Sequence, residues 1–199
     1  TPVTLRLWER LGWWSVLGGL ALGGLVDYVS ISTGQVLVGF VNYLVVWATV
    51  HQLGYAWRDG RLDGTGRRLG LSLVGLVGVT TLVALGPYPL SMIGIGGEVE
   101  NSYPTRITMA LLGMAQIGLA LLAEAPLQRW LRRRGPWTAT VAVNARIMTL
   151  YLWHLTAMVV VVGVGVLLGG PGMGIEPGTA QWWQTRPVWL VVLAAVTFA

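Results

Sequence analysis

Long apolar stretches separated by short polar ones dominate the chain. They cover about 11–29, 35–57, 69–86, 106–123, 139–168 and 188 onward. Most approach the roughly 20 residues that a membrane-crossing helix needs, and the fifth is long enough to tilt. The pattern therefore predicts an all-α, polytopic transmembrane helix bundle with five complete spans and part of a sixth. Two connections, 58–68 and 124–138, are rich in arginine. The other two, 87–105 and 169–187, are rich in glycine and proline and carry Glu98, Glu100 and Glu176.

Composition agrees with span counting. The 199 residues are 54% hydrophobic and 11% charged, against roughly 25% charged in a soluble domain. All 13 basic residues are arginine, against 8 acidic ones, for a net charge of +5. Arginines placed singly between spans argue for membrane topology and against nucleic acid as a partner. With the N-terminus in the cytoplasm, Arg6, Arg10, Arg58, Arg61, Arg67, Arg68, Arg129, Arg132, Arg133 and Arg134 lie inside, and only Arg106 and Arg186 lie outside. That asymmetry predicts a multi-pass protein of the cell (inner or plasma) membrane in this orientation. Trp13, Trp14, Trp57, Trp130, Trp137, Trp182 and Trp183 fall near span ends, as interfacial anchors do. Gly19/Gly23 and Gly165/Gly169 have the spacing that lets helix backbones approach.

Polar residues inside the spans carry the candidate chemistry, because ionisable groups in hydrocarbon face cavities or partners. In the second span Asn42, Thr49, His51 and Gln52 interrupt the apolar run, and His51 shares a stripe with Trp47, Tyr55 and Arg58. In the fifth, Asn144 and Arg146 precede Tyr151, Trp153 and His154, with Tyr151 and His154 on one face. An arginine inside a span wants an anion. His51 lies about 10 Å from Arg58 by helical rise, and Arg146 stands at a similar height above Arg132–Arg134, so the two are expected at one level, with His154 about 12 Å further out. Asp59 and Asp63 look like solvated loop charges, and Asp27 looks interfacial. Two histidines without a carboxylate at ligand spacing make no metal site, and there is no cysteine to supply a thiolate. Gly94-Ile95-Gly96-Gly97 lacks the strand and helix of a phosphate-binding loop, and Ser72 and Ser91 lack a nucleophile elbow.

Four segments carry a family resemblance: Leu25-Val-Asp-Tyr28, VNYLVVWATVHQLGYAWRDGRL from Val41 to Leu62, GPYPLSMIG from Gly86 to Gly94, and VNARIMTLYLWHLTA from Val143 to Ala157. In order and spacing they resemble the second half of a membrane-bound acyltransferase of the acyltransferase-3 family, over about residues 11–170. The resemblance implies a bundle of about ten helices, of which 1–199 is the C-terminal part of one domain. It would move an acyl group, usually acetyl, from a cytoplasmic acyl-CoA co-substrate to a hydroxyl of a carbohydrate or lipid-linked acceptor, with no bound cofactor. A polyanionic donor suits the arginines of the inner side, Arg58, Arg61, Arg67, Arg68, Arg132 and Arg133, with Arg146 and His51 above them.

The family's catalytic motif, an Arg with a His eleven positions later, has no counterpart here, since Phe40 and Val143 stand eleven before His51 and His154. Asn101-Ser102-Tyr103-Pro104-Thr105 also carries one proline where the family has two. The chain opens at Thr1 without a start methionine and stops within an apolar run, so the general base is expected to precede Thr1. His51, Arg58, Asn144, Arg146, Tyr151 and His154 are the expected substrate-binding residues, with His51 and His154 the candidate bases if the family inference fails. The competing functions are a transporter or permease, which intramembrane Arg and His would equally suit, and a non-catalytic membrane subunit.

Overall fold

The computed structural model describes residues 2–92, 100–176 and 178–198, with side chains described from Val3 to Thr197 among them. Residues 94–97 and Glu98 of the loop discussed above, and the end of the 86–94 segment, lie outside the described residues. Helices α1 (Pro2–Leu11), α2 (Trp13–Thr33), α3 (Val36–Gly39), α4 (Val41–Arg58), α5 (Thr65–Leu85), α6 (Ile107–Leu131), α7 (Arg134–Asn144), α8 (Ile147–Leu167) and α9 (Ala180–Phe198) follow in order, and no strand forms among the described residues. Five helical segments are long and apolar enough to cross a membrane: α2, α3 with α4, α5, α6 and α8. The protein is an all-α transmembrane bundle, divided into two compact units, 1–127 and 128–199.

Two boundaries differ from the hydropathy pattern. The stretch 139–168 is two helices, α7 and α8, parted at Ala145 and Arg146, where Arg146 leaves helical geometry with φ −111° and ψ 2°. Apolar residues continue on both sides of this break, so hydropathy reads across it. The last helix begins at Ala180, taking in Trp182, Trp183 and Arg186 and placing Pro187 inside it. At the front, Gly12, with φ 52° and ψ −126°, makes the turn between α1 and α2 that other residues rarely adopt.

In the first unit, α4 has two opposite faces. Asn42, Val46, Thr49, Leu53 and Ala56 recur at helical spacing and are all buried. They meet α2 where it has no side chain: a Cβ on Gly19 would collide with the Thr49 hydroxyl, and one on Gly23 would lie 3.6 Å from Asn42 Oδ1 and 3.0 Å from Ile107 Cδ1 of α6. The paired glycines of the first span thus serve close packing, as their spacing predicts. Helices α5 and α6 approach in the same way, because a Cβ on Gly118 would stand 2.6 Å from Ser72 N and 2.7 Å from Arg68 O. Ser72 Oγ donates to Ala115 O across this contact at 3.2 Å. Trp8, Val16, Leu53, Ala56, Leu62, Leu71, Met114 and Leu121 form the apolar core between these helices.

In the second unit α8 packs on α9. Trp189 fills the space over Gly165, and its Nε1 donates to Pro171 O at 2.7 Å. Gly169 plays a different part from Gly165: it sits beyond the end of α8 with φ 65° and has open space at its Cβ position, so it turns the chain.

The end of the first unit opposite Arg58, Arg61, Arg67 and Arg68 is held by buried polar groups. Asp27 is 2% exposed. Its Oδ1 accepts from Asn42 Nδ2 at 2.8 Å, and its Oδ2 accepts from Tyr88 Oη at 3.2 Å and from Ile107 N at 2.8 Å. Ile107 opens α6, so a side chain from α2 caps another helix's free N–H. Burial, then the Asp27 charge, pushes the Tyr88 hydroxyl well above its usual pKa and keeps it a donor. Asn101 stitches the adjoining loop, donating to Pro89 O at 2.7 Å and Ser91 O at 2.9 Å and accepting from Thr108 Oγ1 at 2.8 Å. Asp27 is therefore a buried hub within the bundle.

Candidate functional site

Opposite its packed stripe, α4 presents Trp47, His51, Tyr55 and Arg58. His51 is exposed, and its Nε2 lies 3.1 Å from Tyr55 Oη, with the rings edge to face at 4.8 Å. The same Tyr55 hydroxyl lies 3.1 Å from Thr4 Oγ1, and the Arg58 guanidinium carbon lies 5.1 Å from the Tyr55 ring centre. A histidine, a phenol and a guanidinium thus follow one another along two turns of a spanning helix. Thr49 and Gln52, which also interrupt this span, turn inward; Gln52 Nε2 donates to Thr4 O at 3.2 Å.

The arginines at this end divide into committed and available ones. Arg68 Nε donates to Leu62 O at 3.0 Å, Nη1 to Leu121 O at 2.5 Å, and Nη2 pairs with Glu124 at 3.0 Å. With its side chain 18% exposed, Arg68 ties α5 to α6 and has no freedom to meet a ligand. Arg61 lies over the Trp8 ring at 4.9 Å. Arg58 Nε donates to Asp59 Oδ1 at 2.8 Å, and Asp59 Oδ2 accepts from Trp8 Nε1 at 2.7 Å. Asp59 is thus a bridge between α1 and the end of α4, not a loose loop charge. The bond from Arg58, then that from Trp8, holds its carboxyl below the usual range.

A carboxyl with a lowered folded pKa contributes stability above its unfolded pKa and loses it as pH falls through the folded value. The difference in unfolding midpoint between the protein and its Asp59→Asn variant is therefore expected to be constant from pH 5 to 8 and to shrink only below about pH 4. A difference that changes between pH 8 and 5 would contradict the bridge.

The second unit holds the other expected residues. Asn144 ends α7, Arg146 stands in the break before α8, and both are exposed. Arg146 pairs with no carboxylate among the described residues. Tyr151 and His154 are exposed one turn apart, with ring centres 5.8 Å apart. His154 Nδ1 lies 3.2 Å from Leu150 O. A carbonyl only accepts, so Nδ1 carries the proton of this bond and Nε2 points away from it. Each of the two histidines thus comes with a tyrosine at helical spacing on its own helix.

The first unit also holds an apolar groove of about 320 Å³ between α1, α2 and α4, over Gly18 and Gly19 and flanked by Leu7, Trp14, Leu22 and Leu44. Neither this groove nor the Asp27 hub is among the residues expected from sequence. Asp27 did carry a signal, an acid within an apolar span, but only folding shows that Asn42, Tyr88 and Ile107 converge on it. Comparisons with family models, with curated proteins and with solved structures found no match to this chain.

Proposed function

We propose that the chain is part of a membrane O-acyltransferase that takes an acyl group, acetyl in the simplest case, from acyl-CoA and passes it to a hydroxyl of a carbohydrate or lipid-linked acceptor. The observation that best supports this is the His51–Tyr55–Arg58 face of α4, exposed at His51 and Arg58 with the half-buried Tyr55 between them. Hydrocarbon is a poor neighbour for an imidazole and a guanidinium, so this face suits a polar, substrate-lined cavity. Arg58 keeps guanidinium N–H groups beyond its single bond to Asp59 and suits a donor phosphate. His51 and Tyr55 suit the polar part of the donor chain above it. In the other unit Arg146 suits an anion in its own right, and Tyr151 and His154 suit the acceptor hydroxyl. These are binding roles; by its resemblance the family's own base is a different histidine, and His154 Nε2 and His51 are the alternatives among these residues. Both carboxylate oxygens of Asp27 accept from donors of the bundle, Asn42 Nδ2, Tyr88 Oη and Ile107 N, which favours a structural role for Asp27 over the ion relay that a permease would place in its spans.

The test is acyl-CoA binding and transfer by the full-length protein. Removing one charge-assisted contact is expected to weaken donor binding about tenfold in Arg146→Ala, and loss of a neutral hydrogen bond a few-fold in His51→Ala. Unchanged donor affinity in both variants would refute the assignment. Transport of a solute without acyl transfer would favour a permease.

A further inference from the structure

The end of α6 and the start of α7 carry Arg129, Arg132, Arg133 and Arg134, all exposed. Among the described residues no carboxylate pairs with any of them. The only acidic residue of the 128–199 unit is Glu176, beyond the opposite end of α8. These charges stand where the span of α6 ends at Leu131, the depth at which lipid headgroups begin. Exposed Trp130 and Trp137 flank them, 50% and 58% accessible. A hollow of about 430 Å³ is lined by Gln128, Leu131, Arg132 and Trp137, a cation beside apolar surface. The α7 helix that follows is 11 residues long, too short to span, and has no buried residue.

From this geometry we propose that the α6–α7 junction is a seat for an anionic phospholipid headgroup. Guanidinium groups grip phosphate oxygens in pairs, and a basic run just outside a span draws anionic lipid. The tryptophans and Leu131 add what a free phosphate cannot use: amphipathic surface at the level of the lipid backbone and upper acyl chain. The seat uses Arg132 and Arg133, two of the arginines expected to face the polyanionic donor, and none of the residues to which the proposed function gives a donor or acceptor contact.

The experiment is native mass spectrometry of the full-length protein, delipidated in detergent and then offered equal amounts of phosphatidylglycerol and phosphatidylcholine. The protein is expected to retain phosphatidylglycerol selectively. Arg132→Gln and Arg133→Gln, exposed positions where folding is little affected, are expected to weaken retention about fivefold per arginine removed. Arg132→Lys with Arg133→Lys is expected to fall between, keeping charge but losing the paired grip. Equal retention of phosphatidylcholine, or unchanged retention in the Gln variants, would overturn the proposal. So would displacement of the lipid by inorganic phosphate or acyl-CoA at equal concentration, since the arginines would then serve a soluble anion. Donor binding that depends on His51 and Arg146 is read separately, so either idea can fail without the other.

Discussion

Replacing Asp27 with Ala is expected to destabilise the protein by about 3–5 kcal/mol, because three donors lose their acceptor inside the bundle at once. The Ile107 N–H at the start of α6 loses its cap, worth about 1 kcal/mol where caps have been removed. Asn42 Nδ2 keeps only its bond to Gly23 O at 3.1 Å, and the buried Tyr88 hydroxyl is left without this partner. Asp27→Asn is expected to be nearly as damaging, since the new amide puts a donor where one carboxyl oxygen accepted. The measurement is thermal unfolding of the full-length protein in detergent, with midpoints lowered by about 10 °C. A drop of 2 °C or less in Asp27→Ala would show that the hub does not hold the start of α6. The acyl transfer proposed above is expected to persist in the residual folded fraction, because Asp27 touches none of His51, Tyr55 or Arg58.

Gly118→Val is expected to cost about 3 kcal/mol or more and to lower the yield of folded protein. The atoms that a Cβ would strike are backbone, Ser72 N and Arg68 O, which cannot swing aside as a side-chain end can. Relief requires α5 and α6 to separate, which lengthens the Ser72–Ala115 hydrogen bond and pulls at the two bonds of Arg68 to Leu121 O and Glu124. Gly70→Ala, on α5 with open space at its Cβ position, is the matched control and is expected to be neutral or slightly stabilising through helix propensity. Equal midpoints for Gly118→Val and Gly70→Ala would disprove the close approach of these helices.

The span pattern was legible because every long apolar run must find either lipid or another helix, and its length can be counted. The stripe of Trp47, His51, Tyr55 and Arg58 was legible too, since helical periodicity alone puts those residues on one face. Glycine spacing in the first span pointed correctly to close helix packing without naming the partner, yet the same spacing at Gly165 and Gly169 joined a packing residue to a turn residue. Periodicity does not record where a helix stops.

The break at Ala145 and Arg146 and the fates of Asp27, Asp59 and Arg68 belonged to tertiary structure. A lone acid or arginine reads as solvated until its partners are known, and those partners are distant in sequence. Ile107 is 80 residues from Asp27, Trp8 is 51 from Asp59, and Leu121 is 53 from Arg68. Sequence by itself determined that this chain crosses a membrane as helices and which positions share a helical face. Only the tertiary structure decided which charges hold the bundle together and which stay free to meet a ligand, because a charge's role is set by the groups folding brings to it.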